Sequence, residues 1–153
     1  MASGSKLSLT GRALRLLSAR EHSRTELQRK LAAFEETPGE LAAVLDKLAA
    51  KDLQSEQRAV DSLVHRRSAK LGSARIRQEM QSKGMEPHAM AQALDALRAS
   101  EHARAHAVWR KKFGGPATTP AERAKQVRFL ASRGFGGEAI ARVVSGAFDV
   151  DAV

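Results

Sequence analysis

Two histidines four residues apart, His102 and His106, have a spacing that could do chemistry, because on a helix they would share one face as a pair of metal ligands does. Between them stand Ala103, Arg104 and Ala105. The glutamate of a zinc-protease helix is therefore missing, a cation separates the two rings, and no third ligand lies nearby. The run Arg133-Gly134-Phe135-Gly136-Gly137 has the composition of a phosphate loop but lacks the preceding strand and the Lys-Ser or Lys-Thr pair that such a loop needs. No Ser-His-Asp set or carboxylate pair stands out, since the acidic residues fall at helix starts and on polar faces. The sequence therefore predicts no catalytic residue, no metal and no cofactor.

The basic residues carry more information. Lys and Arg number 26 against 17 Asp and Glu, a net charge of +9. The excess rises along the chain, from +2 over residues 1–52 to +3 over 53–100 and +4 over 101–153. Such a surface favours an anionic partner, nucleic acid or an acidic protein. Arg104, Arg110, Lys111 and Lys112 form one cluster interleaved with Trp109 and Phe113, and Arg123, Lys125, Arg128 and Arg133 form another. A third holds Arg66, Arg67, Lys70, Arg75 and Arg77. These groups could pair with phosphates or carboxylates. Trp109 reads better as a core anchor than as a stacking platform.

The elements that would position these residues are helical throughout. There are five Phe, one Trp and no Tyr, and the segments between breakers are rich in Ala, Leu, Arg, Gln and Glu. Residues 1–9 are expected to be disordered. Leu14 and Leu17 are expected on the inner face of a first helix from Thr10, and Ser23-Arg24-Thr25-Glu26 is a capping box opening a second, with Leu27, Leu31 and Phe34 buried. Thr37-Pro38-Gly39-Glu40 opens a third with proline at its first position. Further starts fall at Ser55, Gly72-Ser73, Pro87, Glu101, a further capping box at Thr119-Pro120-Ala121-Glu122, and Gly136-Gly137. The eighth helix is read with Ala124, Val127 and Leu130 inward. Lys83-Gly84-Met85 and Arg133-Gly134-Phe135 read as Schellman stops, glycine taking the left-handed position.

Two copies of one stop signal suggest a repeat. A shift of 49 carries Leu27 to Ile76, Leu31 to Met80 and Leu45 to Leu94; a shift of 50 carries Met80 to Leu130, Gly84 to Gly134 and Met85 to Phe135. Three three-helix units are expected, at 10–52, 53–100 and 101–148, with a frayed tail at 149–153. Units this small bury little surface alone, so they should stack into an elongated, curved array. Cysteine is absent and no apolar run approaches a membrane span, which leads us to expect a soluble cytoplasmic monomer.

The segment from Lys125 to Phe135, followed by Ile140, resembles the C-terminal signature of the RecX family of recombinase regulators. Gly72 to Met80 with Lys83-Gly84-Met85 is similar to that family's central motif, and Ala13 to Leu17, Arg20, Ser23, Glu26-Leu27 and Lys30-Leu31 to its first repeat. The resemblance runs from about Thr10 to Val144. It implies three tandem three-helix repeats and a partner, the RecA nucleoprotein filament, whose groove such proteins enter, bridging protomers and suppressing ATPase, strand exchange and coprotease activity in recombination, DNA repair and the SOS response. The basic residues named above, from Arg66 to Arg133, become candidate contacts to RecA or, nonspecifically, to single- or double-stranded DNA. This chain departs from the pattern in lacking an aromatic residue beside the central motif. The rival reading is a helix-turn-helix DNA-binding module built on Arg133 to Glu138.

Overall fold

The computed structural model describes residues 7–146. Among these, nine α-helices and one 3₁₀ turn are present and no strand. In order they are α1 (Leu9–Ala19), α2 (Arg24–Leu31), the 3₁₀ turn (Ala32–Phe34), α3 (Glu40–Ala50), α4 (Glu56–Arg67), α5 (Ser73–Ser82), α6 (Pro87–Ala99), α7 (Glu101–Phe113), α8 (Pro120–Ser132) and α9 (Gly137–Val144). Three apolar clusters divide them. Leu9, Ala13, Leu27, Leu31, Leu41, Leu45 and Leu48 close around α1 to α3. Val60, Leu63, Ile76, Met80, Met90 and Leu94 do so for α4 to α6, and Trp109, Leu130, Phe135, Ile140 and Val143 for α7 to α9.

The starts and stops follow from local chemistry. Ser23 and Glu26 form the full reciprocal capping box. At the end of α5 the Gly84 amide donates to Gln81 O at 3.0 Å and that of Met85 to Met80 O at 3.1 Å; at the end of α8, Gly134 and Phe135 repeat the pattern on Ala131 O and Leu130 O at 3.0 and 3.2 Å. A third such stop ends α3. Asp52 takes the left-handed position (φ 59) there, with Leu53 donating to Leu48 O at 2.9 Å. Asp lacks the glycine signature, so the spacing argument misses it.

Several expected inner faces are rotated. Leu14 is 40% exposed, and α1 packs through Leu9 and Ala13 instead. Phe34 lies 45% exposed in the 3₁₀ turn, its ring under the Arg12 guanidinium at 3.7 Å. In α8, Ala124 and Val127 face outward while Gln126 and Leu130 are buried. The cause is Trp109. Its buried indole N–H needs an acceptor and finds Gln126 Oε1 at 2.9 Å, while Gln126 Nε2 donates to Gly115 O at 3.2 Å, so an amide fixes the rotation of the helix. Helix α3 starts after Gly39 (φ 87), which leaves Pro38 outside the first turn. Helix α1 starts at Leu9 under a Ser8 cap, so the expected disorder over 1–9 gives way at 7–9 and otherwise lies outside the described residues, as does the tail at 149–153. Thr119 caps α8, but Glu122 turns to the amide and hydroxyl of Thr118, leaving the box half made.

The units join through their second helices. Ser23, at the start of α2, donates its hydroxyl to Lys83 O at the end of α5 (2.7 Å), and Arg29 reaches Ser82 O (2.6 Å). The next seam copies this: Gly72 N–H donates to Arg133 O (2.8 Å), Ala74 N–H to Gly134 O (3.2 Å) and Arg75 to Ser132 O (2.9 Å). Thus α2, α5 and α8 follow one another end to end, each amino terminus against the next carboxyl terminus, opposite ends of the helix dipole together. Among the described residues no hydrogen bond links the first unit to the third. A Cβ on Gly72 would strike the backbone of Gly134 and Phe135 across the seam, although the φ of −80° at Gly72 suits any residue.

Gly72→Ala therefore tests the seam apart from backbone freedom. It is expected to lower stability by at least about 2 kcal/mol, the upper range for overpacking. Gly114→Ala, at φ 77 with open space around it, should cost only the ~1–2 kcal/mol of a left-handed alanine. Urea denaturation followed by Trp109 fluorescence measures both, and equal losses would show that the close approach is not what Gly72 serves.

Candidate functional site

Each seam also contains one carboxylate that accepts from helix amino termini of both units. Glu56, first residue of α4, accepts from Arg24 N at the start of α2 (2.8 Å) and from Glu86 N at the start of α6 (3.0 Å). Glu101, first residue of α7, accepts from Ser73 N at the start of α5 (2.9 Å) and from Gly136 N at the start of α9 (3.2 Å). Two helix amino termini thus donate to each carboxylate, which itself stands in the first turn of a third helix, the end of the dipole that favours an anion. The Ser73 hydroxyl and Arg104 also reach Glu101, at 2.9 and 3.0 Å.

This seam absorbs Arg104. Its guanidinium donates to the carbonyls of Ser68 (3.1 Å), Leu71 (2.6 Å) and Leu97 (2.9 Å), and its side chain is only 14% exposed. It is a strut between the second and third units. Arg67 is half-buried and pairs with Glu79 at 3.0 Å. Burial would raise the Glu79 carboxyl, but hydrogen bonds from Arg67 and Lys83 more than offset this and hold it below the usual carboxylate range.

The remaining predicted residues stay outside. Arg66, Arg75, Arg77, Arg110, Lys111, Lys112, Arg123, Lys125, Arg128 and Arg133 are exposed, and none makes an ion pair among the described residues. The fold brings two groups of them together. Arg75 and Arg77 face an open groove of about 480 Å³ with Gln78, Gln81, Ser132 and Gly134, while Arg123, Lys125 and Arg128 lie on α8 outside that lining. On the other flank Lys111, Lys112 and Arg133 meet Lys70 around the Phe129 ring. Arg66 and Arg110 join neither lining.

His102 and His106 do not form a metal pair. His102 Nδ1 lies 2.7 Å from Arg142 Nη1, and the His106 ring packs 5.4 Å from that of Trp109. Among the described residues no group of three or more His, Asp or Glu could hold a metal. No helix among them is long and apolar enough to cross a membrane. The first turn of α9 buries Ala139 and Ile140 and exposes Gly137 and Glu138, which offers a nucleic acid neither a base reader nor a cation.

The comparisons with known proteins agree with this architecture. Family models of the first, second and third three-helix domains of RecX match residues 11–48, 55–94 and 100–144. The regulatory protein RecX of Leptothrix cholodnii is 52% identical over 139 residues, 91% of this chain and 88% of that protein. The chain belongs to the RecX family. A second RecX regulatory protein, from Ralstonia nicotianae, is 47% identical over 141 residues, 92% of this chain and 89% of its own. The crystal structure of RecX from Lactobacillus salivarius superposes with a TM-score of 0.77, covering 95% of this chain and 96% of that one; at 17% identity it shows the shared fold. The chain's place in this family of regulatory proteins rests on those relatives, and its second helices form the row that crosses both seams.

Sequence reasoning missed one buried group. His22 is 2% exposed at the first seam, Nδ1 against Arg20 O (3.0 Å) and Nε2 against Lys30 Nζ (3.0 Å). Burial lowers its pKa below the ordinary 6.5; the Arg20 carbonyl opposes this, and the charges of Arg20 and Lys30 add to it. The folded chain therefore binds fewer protons than the unfolded chain as pH falls below 6.5, and stability must fall with it. Between pH 6.5 and 5.5 His22→Gln should lose less stability than the parent, by an amount below the ~1.4 kcal/mol limit for one proton per pH unit. Denaturation midpoints at the two pH values test this, the other histidines cancelling; parallel pH profiles would exclude His22 as the cause.

Glu101→Gln keeps the shape of the seam group but removes its charge and one acceptor. A loss of about 1.5–3 kcal/mol is expected in urea denaturation, the range for hydrogen bonds to a charged group. The exposed control Glu138→Gln should stay within about 0.5 kcal/mol.

Proposed function

We propose that the chain regulates RecA by binding, without turnover, along the filament that RecA forms on DNA, and that it damps the ATPase, strand exchange and coprotease activities of that filament. The observation that carries this reading is the end-to-end course of α2, α5 and α8. It carries the exposed cations Arg75 and Arg77 of α5 and Arg123, Lys125 and Arg128 of α8 along one row of helices crossing two units. A repeating polymer offers acidic groups at intervals, and a scaffold of repeated units can meet several at once. Membership of the RecX family supports the choice of polymer. Arg104 is left out of the proposed surface, because its guanidinium is already committed to three backbone carbonyls.

The test is the ATPase of RecA on single-stranded DNA. The chain should lower the rate as its concentration rises, and full activity at saturation would reject the reading. Arg77→Glu with Arg128→Glu should raise the concentration for half-inhibition at least tenfold, about 1.4 kcal/mol or more of binding. The melting temperature should be unchanged, because both side chains are exposed and outside any ion pair among the described residues.

A further inference from the structure

The second and third units carry the same three-part arrangement with one part exchanged. In the second unit Glu79, four residues before the helix cap Lys83, lies between Lys83 Nζ (3.1 Å) and Arg67 Nε (3.0 Å), so both cations are neutralised. A shift of 50 residues puts Phe129 in the place of Glu79 and Arg133 in the place of Lys83. Lys112, in the last turn of α7, supplies the other cation, as Arg67 does in α4. The Arg133 guanidinium stands 4.6 Å from the centroid of the Phe129 ring and the Lys112 ammonium 5.4 Å. Where one unit has a carboxylate, the other has an aromatic ring and two cations outside any ion pair among the described residues.

Around this ring the seam forms a cleft of about 460 Å³, floored by Val108 and Phe129 and rimmed by Lys70, Lys111, Lys112 and Arg133, with no acidic residue in its lining. It shares no residue with the groove at Arg75 and Arg77. We propose that this cleft is a docking site for an acidic peptide segment of a partner, whose carboxylates take the place that Glu79 fills in the second unit and whose apolar side chain covers Val108 and Phe129. A nucleic-acid strand fits less well. The ring already has Arg133 and Lys112 against it and the Phe113 ring at 90° and 5.4 Å, so a base would have to displace these cations to stack, whereas carboxylates pair with them. The floor also offers nothing to pair with the polar edges of a base, which would be buried unsatisfied. Lysine and arginine around an apolar floor suit carboxylates flanking an aliphatic or aromatic anchor.

The inference concerns a cleft separate from the filament surface proposed above and is tested without RecA. The full chain is titrated into a fluorescently labelled decapeptide of Asp and Glu with one central Leu, and separately into a labelled ten-nucleotide thymidine strand, with anisotropy as readout. The peptide should bind, and should weaken as salt rises from 50 to 300 mM. Lys111→Ala with Lys112→Ala, both exposed, should weaken it at least tenfold. Phe129→Glu, which restores within the chain the carboxylate of the second unit, should do the same; Trp109 fluorescence reports whether that variant is folded, and the lysine pair decides if it is not. No peptide binding, binding unchanged in the lysine variant, or a thymidine strand that binds more tightly with the same dependence on these residues would overturn the proposal.

Discussion

The three units are joined where carboxylates meet helix amino termini across each seam. Glu56 and Glu101 each stand where three helix amino termini converge, one helix of the preceding unit and two of their own. Glu101 is buried and Glu56 half-buried, and withdrawing a carboxylate from water is costly unless donors remain in place. The amides are fixed by their helices, so each carboxylate stabilises the seam only while both units keep their relative position. A three-helix unit of this size has a small core of its own, and the seam contributes what the core alone does not. The chain therefore resembles a solenoid in its energetics, with stability divided between units and their interfaces.

The same joint explains which basic residues remain outside. Bringing α5 against the end of α8 requires glycine at Gly72 and Gly134 and draws Arg104 inward to satisfy the carbonyls of Ser68, Leu71 and Leu97. Arg75 is held by Ser132 O but stays exposed, and Arg77 and Arg128 point away from the core because Ile76 and Leu130 occupy the inner positions. The positive surface is thus what remains after the seam has taken the cations it needs. Divergence between units then acts on that remainder: Glu79 closes a charge pair in one, and Phe129 leaves its counterpart open.

Much of the architecture was legible from the residues. Helix starts at Ser23, Pro87 and Thr119 and stops at Gly84 and Gly134 depend on one turn of backbone, so local spacing specifies them. The repeat was visible for the same reason, since apolar residues must recur wherever helices of one length pack in one way. The candidate surface was legible only as a set of cations. Whether a given arginine faces solvent or another unit depends on helix rotation to within about a quarter turn, and neighbouring units decide that.

The amino-acid sequence by itself determined the helical class, the three units and their order, because these rest on propensity, capping and periodicity within a few residues of each other. The tertiary structure alone decided that Arg104 is a strut, that Gln126 and not Val127 is buried, and that Leu14 is exposed. The indole of Trp109 needing an acceptor, and the carbonyls at the end of one unit needing donors from the next, are demands made across tens of residues. No local pattern can register a polar group whose partner lies in another helix.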